Sequence, residues 1–377
     1  MLSSSMAVSP GGTKSTLHER FWRGVVCASL FFAALCSGII AAEDARFFRI
    51  GTAATAGSFF EIGGVIASAI SSPPGTPPCG HGGSCGVPGL LAVAQTTQGS
   101  LENLRLVNNG QIDSGFAQAD LAGWAYAGTN IVTDAGAMPK LRAIASLFPE
   151  SLHLVVLADS PIRSVADLAG KTVALGEPGS GTVANTRVLL AGMNFAEGSL
   201  TKAYLSPSEA VEALKAGKID AFFLVGVVPI PAISELAMTT PIRLVPVEPA
   251  MVERLAKEIG FYRTTVIPAE TYLGVAEDTS SIGFSALWVT SAGIDTDLIY
   301  AITTSLWNDA SAKLLMTLPI GHRMRLDYAL TGLSVPLHPG AERYYREAGF
   351  RVDTTPRIKE ERVEDRAKDE TTGPARQ

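Results

Sequence analysis

The fold class is most clearly indicated by residues 171–191, which read KTVALGEPGSGTVANTRVLLA. An apolar strand pattern occupies residues 171–175, the loop GEPGSGT follows, and residues 183–191 have the apolar spacing of a helix. Glycine allows the backbone of such a loop to turn tightly from a strand into a helix. This strand–loop–helix unit predicts an α/β fold.

A second unit of the same kind occurs near the N-terminal end. Residues 46–50 (RFFRI) predict a strand, the loop GTAATAGS follows it, and the apolar residues of FFEIGGVIASAI recur at helical spacing. Alternating patterns continue along the chain. We predict further strands at 91–95, 112–118, 141–145, 152–158, 219–225, 242–247 and 285–290, and helices at 100–107, 120–126, 207–216, 249–259, 296–315 and 341–348. This alternation indicates doubly wound α/β lobes.

Length, composition and charge limit the classes of function. A chain of 377 residues has room for about two domains of ~150 residues each. Its net charge is -6, and an acidic surface argues against nucleic acid as a partner. No stretch after residue 45 is long and apolar enough to cross a bilayer.

The N-terminal segment, residues 1–45, predicts a secretory signal peptide. Basic residues precede the apolar run VVCASLFFAALCSGII, and small residues follow it, with cleavage expected between Ala41 and Ala45. A retained membrane anchor and a lipoprotein attached through Cys36 remain as alternatives. At the other end, residues 351–377 are rich in charge and almost free of large apolar residues, which predicts a disordered tail.

Export determines how the cysteines are interpreted. Cys27 and Cys36 leave with the signal peptide, so Cys79 and Cys85 remain as one pair in an oxidising compartment. We predict a disulfide that closes a small loop in this segment rich in proline and glycine. A metal site formed by Cys79, His81 and Cys85 is the alternative, but it lacks a fourth ligand nearby, and we expect no metal.

Three short motifs suggest enzymes, and each has a simpler interpretation. Gly82–Gly86 matches G-x-S-x-G, but turn residues surround its serine, whereas a nucleophile elbow requires a strand and a helix. Residues 170–172 (GKT) resemble the end of a P-loop, yet a strand follows. Residues 179–184 (GSGTVA) match G-x-G-x-x-A, with Glu209 a little beyond the expected acidic position. Dinucleotide binding stays open as an alternative.

The two strand–loop–helix units together predict a ligand site. GEPGSGT and GTAATAGS each present backbone N–H groups and hydroxyls at a helix N-terminus, which favours an anion. Ligands of open α/β sheets bind at the carboxyl ends of the strands, where both loops lie. Two such loops, one from each lobe, could hold a small anion across a cleft, although both could also be ordinary capped turns.

Several motifs in order resemble one family. They are IGTAATAGSFFEIGG, TTQGSLENLRLV with GFAQAD, EPGSGT and IDAFFLVG, followed by TYLGV, ALWVTS, DTDLIYAIT and LHPGAERYYREAG. Over residues 47–350 the chain resembles the TAXI solute-binding proteins of TRAP transporters. GTAATAGS departs from the family's glycine-richer loop, and the segment that contains Cys79 and Cys85 looks like an insertion found in part of the family.

The resemblance implies a fold and a role. The fold is that of type II periplasmic binding proteins, with two doubly wound α/β lobes and a hinge. The first lobe would comprise residues 46–149 and the return segment 280–350, and the second lobe residues 150–279. Such a protein is periplasmic, closes on its solute, docks on the TRAP membrane subunits, breaks no bond and needs no cofactor. A sensor of the same fold and a dinucleotide-dependent enzyme remain as alternatives.

The family's cleft also implies which residues bind the solute. Gly181 and the hydroxyls of Ser180 and Thr182 would hold a carboxylate, and Phe59 would pack on the carbon skeleton. Gln118 and Asp120 would contact amine, hydroxyl or keto groups. The full set is Thr52, Thr55, Ser58, Phe59, Gln118, Asp120, Ser180, Gly181, Thr182, Asn185 and Gly226. The expected solute is a small carboxylate such as glutamate or a C4–C5 dicarboxylate.

Overall fold

The computed structural model describes residues 45–195 and 198–352. The predicted signal peptide, with Cys27 and Cys36, and the predicted tail beyond residue 352 lie outside the described residues. The strands are β1 (Arg46–Gly51), β2 (Ser71–Ser72), β3 (Val87–Pro88), β4 (Leu90–Gln95), β5 (Ser114–Gln118), β6 (Leu141–Leu157), β7 (Thr172–Ala174), β8 (Thr201–Ala203), β9 (Ala221–Gly226), β10 (Ile242–Leu244), β11 (Arg263–Ile267) and β12 (Thr279–Ser291). The helices are α1 (Ser58–Ile70), α2 (Ser100–Asn108), α3 (Ala119–Ala127), α4 (Gly181–Gly192), α5 (Pro207–Lys215), α6 (Pro231–Thr239), α7 (Pro249–Ile259), α8 (Thr296–Leu306), α9 (Asp309–Leu315) and α10 (Pro339–Glu347).

One mixed sheet runs through the described residues, in the order β4-β1-β5-β12-β6-β9-β7-β8, with β10 paired to β6 and β11 to β12. Strands β4, β1 and β5 are mutually parallel, and we call them the first sheet half. Strands β9, β7 and β8 are also parallel and form the second sheet half. The prediction of an α/β fold with largely parallel strands flanked by helices is therefore confirmed.

Strand β6 corrects the sequence-based prediction, which placed separate strands at 141–145 and 152–158. The structure has one strand of 17 residues. Its first part pairs with β12, and residues Ser151–Val155 pair with β9 of the second sheet half. The residues Pro149 and Glu150 interrupt the apolar pattern because the strand crosses from one set of partners to another at that point.

Strand β12 crosses in the same way and is longer than the predicted 285–290. Its first five residues pair with β11, and Ala286–Thr290 pair with β5 of the first sheet half. Strand β12 therefore joins the first sheet half through β5, strand β6 joins the second through β9, and the two long strands pair with each other. The predicted lobe boundaries, at 149/150 and 279/280, fall on these two strands and stay a prediction.

A second correction concerns residues 296–315, for which one helix was predicted. The structure has two helices, α8 and α9, because Asn308 begins a new one. Its Oδ1 accepts a hydrogen bond from the backbone N–H of Ser311 at 2.8 Å, an ordinary N-cap. Its Nδ2 donates to the carbonyl of Cys85 at 3.0 Å, so the break also holds the cysteine-containing loop.

The core explains why the central strand β9 is apolar on both faces. Phe222 and Leu224 of β9 pack in one buried cluster with α5 and α6, and Phe223 faces the larger cluster on the opposite side. A strand covered on both faces is typical of parallel sheets. Trp288 of β12 is fully buried and contacts Phe116 edge to face. Within the described part of the chain, no helix is long and apolar enough to span a bilayer.

Candidate functional site

A cavity that is partly open to solvent lies at the carboxyl ends of the parallel strands. The loops after β1, β4 and β7 and the ends of β5 and β9 form its walls. Both sheet halves therefore contribute to one cavity at the edge where open α/β sheets bind ligands. The residues that line it are Ala53, Ala54, Gly57, Ser58, Phe59, Gln98, Gly99, Ser100, Gln118, Glu150, Gly176, Glu177, Ser180, Gly181, Thr182, Leu205, Pro207, Ala210, Phe223, Leu224 and Val225.

Six of the eleven predicted site residues line this cavity. They are Ser58, Phe59, Gln118, Ser180, Gly181 and Thr182. The structure brings them together because α1 and α4 each begin directly after a loop that follows a parallel strand. Phe59 also packs edge to face on Phe116 and Phe148, so its ring serves the core as well as the cavity wall.

The other five predicted residues lie outside the cavity lining. Thr52 is buried and donates its hydroxyl to the Gln95 carbonyl at 2.8 Å, and Thr55 is exposed. Asp120 and Asn185 are buried, and neither is among the lining residues. Gly226 packs closely against Ser58 and Ile230, since a Cβ there would lie 3.0 Å from Ser58 Oγ.

The first turn of α4 is the predicted anion site, and its hydroxyls are already engaged by the protein. Ser180 caps the helix by accepting a hydrogen bond from the Val183 N–H at 3.2 Å, and it donates to the Glu177 carbonyl at 2.7 Å. Thr182 Oγ1 accepts from the Val225 N–H at 3.1 Å. The groups left for an anion are therefore the first-turn N–H groups of Gly181 and Thr182, which have no partner within a helix.

Gln118, at the end of β5, connects several polar groups of the site. Its Oε1 accepts hydrogen bonds from Ser100 Oγ at 3.0 Å and from Asn185 Nδ2 at 3.4 Å. Its Nε2 donates to Glu150 Oε2 at 3.2 Å. The start of α4 lies directly against this amide, because a Cβ at Gly181 would be 1.6 Å from Gln118 Oε1. Gln118 is thus the central polar residue of the cavity wall.

Glu150 is the cavity residue that sequence reasoning missed. It lies at the crossing point of β6, is 2% exposed, and burial raises the pKa of its carboxyl to about 8. The hydrogen bond from Gln118 opposes this rise in pKa, and the charge of Asp120 adds to it. A signal existed, because Glu150 is the one acidic residue in the stretch from residue 141 to 157.

Asp120 forms a second buried carboxyl close to Glu150. Burial raises its pKa to about 7, although the nearby Leu121 N–H and Tyr262 hydroxyl lower it again in part. Among the described residues, no well-formed hydrogen bond reaches either of its oxygens. The Tyr262 hydroxyl instead donates to Asn185 Oδ1 at 2.9 Å. Near neutral pH this carboxyl is therefore protonated in a large fraction of molecules.

Hydrogen bonds join opposite sides of the cavity. The Gly179 carbonyl accepts from the N–H groups of Leu101 and Glu102 at 3.1 and 3.2 Å. Ser58 Oγ, at the start of α1, accepts from the N–H of Val227 at 3.1 Å, just after β9. Each bond joins a segment next to the first sheet half to one next to the second, so together they connect the two sides of the cavity.

A buried pair of side chains supports the segment that follows β9. The Tyr272 hydroxyl accepts a hydrogen bond from the Ile230 N–H at 2.8 Å and lies 2.9 Å from His153 Nε2. His153 Nδ1 lies 3.0 Å from the Ser151 carbonyl, and burial lowers the pKa of its imidazole to about 4. A neutral His153 with its proton on Nδ1 satisfies all of these contacts.

The cysteine pair and Glu209 belong to the two alternative sites, a metal site and a dinucleotide site. Cys79 and Cys85 form a disulfide with 4.6 Å between their Cα atoms, as predicted, so neither is a free metal ligand. No cluster of three potential metal ligands occurs in the described residues. Glu209, the acidic residue weighed for a ribose, accepts hydrogen bonds from the Ser206 N–H at 2.9 Å and hydroxyl at 2.7 Å in an exposed capping box.

Comparison with known families identifies the chain's relatives. A model of the NMT1-like family matches residues 50–349, which is most of the chain. The chain therefore belongs to the NMT1-like family. The match includes every residue of the cavity lining.

Solved structures give more distant similarities. The alkanesulfonate-binding protein SsuA of Xanthomonas axonopodis pv. citri, bound to MOPS, is 20% identical with a TM-score of 0.41, and the match covers 81% of this chain and 85% of that one. The periplasmic aliphatic sulphonate binding protein SsuA of Escherichia coli is 16% identical with a TM-score of 0.39, covering 83% and 95%. XAC2383 of Xanthomonas citri, bound to ATP, is 12% identical with a TM-score of 0.44, covering 80% and 98%.

Proposed function

We propose that this member of the NMT1-like family is the extracytoplasmic solute-binding subunit of a TRAP transporter of the TAXI type. It would capture a small carboxylate, such as glutamate or a C4–C5 dicarboxylate, in the cavity between its two sheet halves. The closed form would then dock on the membrane subunits, which couple uptake to an ion gradient. No bond of the solute is broken in this role.

One observation carries the proposal. The cavity has walls from both sheet halves, and hydrogen bonds from the Val227 N–H to Ser58 Oγ and from the Leu101 N–H to the Gly179 carbonyl join these walls. A solute held there would contact both halves at once and favour the closed state, because a ligand stabilises the conformation to which it binds more tightly. This is how a binding protein signals to its transporter that it is loaded.

The long strands β6 and β12 supply a hinge in this proposal. Strand β6 pairs with β12 up to Ser151 and with β9 from Ser151 on, and β12 pairs with β11 up to Gly283 and with β5 from Ala286 on. Rotation about these two points would open the cavity while each half keeps its own hydrogen bonds. The N-terminal segment supports a periplasmic location, since a basic stretch, an apolar run and small residues follow one another there.

Solute binding and closure can be tested together. We would express the full-length chain, determine the N-terminus of the exported product by mass spectrometry, and measure its melting temperature with amino acids, dicarboxylates, keto acids and nucleotides. A solute at 100 times its Kd adds about 2.7 kcal/mol to the free energy of unfolding. We expect a saturable rise in melting temperature with one class of small carboxylate and a smaller radius of gyration in X-ray scattering.

The proposal fails if no small acid binds and the unfolded protein releases no small molecule. It also fails if only a dinucleotide raises the melting temperature. A bound solute that leaves the radius of gyration unchanged would contradict lobe closure. The TRAP assignment itself is tested by co-purification of the loaded protein with candidate membrane subunits encoded beside it.

A further inference from the structure

The charges of the cavity lining are all acidic. Glu150 and Glu177 line it, and its described residues include no arginine, lysine or histidine. Many of the other lining residues are apolar, among them Phe59, Leu205 and Phe223. A solute with two carboxylates would therefore meet negative charge without a side-chain cation to balance it, and only backbone N–H groups are positioned to offset one of them.

Only one of the two carboxyl oxygens of Glu150 accepts a hydrogen bond from the described residues. Gln118 Nε2 donates to Oε2, and no described residue donates to Oε1. The side chain is 2% exposed, and the part that is not covered by protein lies in the cavity wall. A buried carboxylate is costly unless donors or a cation compensate it. The protein supplies one donor. The rest of the cost of burying the charge is offset either by a group of the solute or by protonation of the carboxyl.

An ammonium group fits this position best. It carries three N–H donors and a positive charge that would stabilise the ionised carboxylate of Glu150, whereas a keto oxygen has no donor and could only accept a hydrogen bond from the protonated carboxyl. A hydroxyl could donate once but brings no charge. Charge-assisted hydrogen bonds of the ammonium–carboxylate kind are about twice as strong as neutral ones.

The anion-binding end of the cavity lies beside Glu150. The first turn of α4 contacts the Gln118 amide at Gly181, and the same amide contacts Glu150 through its nitrogen. The start of α4, which offers donors for a carboxylate, and Glu150, which offers an acceptor for an ammonium, therefore contact opposite ends of the same side-chain amide.

We infer that Glu150 binds the amino group of the solute, so that the site selects an amino acid over the corresponding keto acid or unsubstituted acid. The inference rests on the proposed function, since it assigns one end of the same cavity. Glu150 would be the residue that determines this specificity, with Gln118 as its positioning residue.

The decisive experiment uses matched solutes on the wild-type protein. Isothermal titration calorimetry would compare glutamate with 2-oxoglutarate and glutarate, and leucine with 4-methyl-2-oxopentanoate. We expect the amine-bearing member of a pair to bind at least 10-fold more tightly. If a keto or unsubstituted acid binds equally well, the inference is wrong and the proposed function stands. If no acid of either kind binds, the proposed function fails instead.

A variant then assigns the effect to Glu150. We expect Glu150→Gln to weaken binding of the amino acid at least 10-fold and to weaken its keto counterpart less, so that the ratio between them falls. Glu253→Gln changes an exposed glutamate of α7 and is expected to leave both affinities unchanged. An unchanged ratio in a folded Glu150→Gln protein would overturn the assignment, and the wild-type series decides the question if that variant does not fold.

Discussion

The side-chain amide of Gln118 donates a hydrogen bond to the buried carboxyl of Glu150, with 3.2 Å between Nε2 and Oε2. Gln118 ends β5 of the first sheet half, and Glu150 lies where β6 crosses to its partners in the second. The same amide accepts hydrogen bonds from Ser100 and Asn185. One side chain therefore connects the cavity's carboxyl to both walls, and its removal should affect binding and stability together.

The first prediction concerns this amide. Gln118→Leu keeps the approximate volume of the side chain and removes all of its side-chain hydrogen bonds. The buried carboxyl of Glu150 is then left without a donor. We expect the free energy of unfolding to fall by about 1–3 kcal/mol and solute affinity to fall roughly 10- to 100-fold. Urea unfolding and calorimetry measure the two effects. Gln111→Leu, at an exposed position, is the matched control, and equal behaviour of the two variants would contradict the role of Gln118.

The second prediction concerns the close approach of α4 to that amide. In Gly181→Ala the new Cβ would lie 1.6 Å from Gln118 Oε1, so either the Gln118 amide must leave its hydrogen bonds or the start of α4 must move away from it. We expect the helix to form, because alanine favours it, but closure and binding to be lost. X-ray scattering with and without saturating solute tests this outcome.

The control for Gly181 is Gly64→Ala in α1. No atom lies within 4 Å of a Cβ at this position, so closure should be unaffected. If the radius of gyration of the Gly181→Ala protein still decreases when solute is added, the close contact between residue 181 and Gln118 is absent from the closed state.

The third prediction concerns the hydrogen bond that joins α1 to the segment after β9. Ser58→Ala removes the acceptor for the Val227 N–H, which is buried in the closed form. An unsatisfied buried donor costs about 1–3 kcal/mol, so we expect solute affinity to fall roughly 5- to 100-fold. Calorimetry measures the change. Ser68→Ala, on the exposed face of the same helix, should bind as the wild type does.

The residues near strand ends could be predicted from the sequence, and those within long strands could not. Glycine-rich loops between an apolar strand and a helix mark Ser58 and Ser180, because this local pattern places both at the carboxyl edge of a sheet. Glu150 belongs to no such loop. It reaches the cavity because β6 continues from its pairing with β12 to its pairing with β9, and both partners are far away in sequence.

The partners of hydroxyl groups cannot be predicted from the sequence for a related reason. Ser180 and Thr182 carry the donors and acceptors expected of an anion site, and both line the cavity. However, the partners that engage them, Val183 and Val225, are backbone groups. A hydroxyl can make its hydrogen bonds either to nearby backbone groups or to a solute. Only the folded structure shows which of the two it does.

The fourth prediction separates the disulfide from the cavity. Cys79 and Cys85 close a short loop that contributes no residue to the cavity lining. Replacing both cysteines by serine should lower the free energy of unfolding by about 2 kcal/mol, as expected from loop-closure entropy, and leave solute affinity unchanged. Melting curves and calorimetry test the two parts. A change in affinity would mean that this loop acts on the cavity after all.

The fifth prediction concerns the dependence of stability on pH in the solute-free protein. The pKa values of Asp120 and Glu150 are about 7 and about 8 in the fold, against 3.8 and 4.5 for the free groups. At pH values between the unfolded and the folded pKa of each carboxyl, the folded state keeps a proton that the unfolded state has released. The free energy of unfolding therefore falls as pH rises. Below pH 6.5 the buried neutral His153 produces the opposite slope, because its pKa is lowered in the fold. The informative range is therefore pH 6.5 to 8.5.

Within that range, urea denaturation should give a free energy of unfolding that declines with pH in the wild type. The decline should be smaller in Asp120→Asn, because this variant lacks one of the two titrating groups. Glu150 faces Gln118 and Asp120, and Asp120 faces Tyr262 and the Leu121 N–H, so no basic side chain offsets the effect. Asp159→Asn, at an exposed position, should keep the wild-type slope. A free energy that stays level or rises between pH 6.5 and 8.5 would mean that both carboxyls are already charged in the fold, and Glu150 would then be ready to bind an ammonium without first releasing a proton.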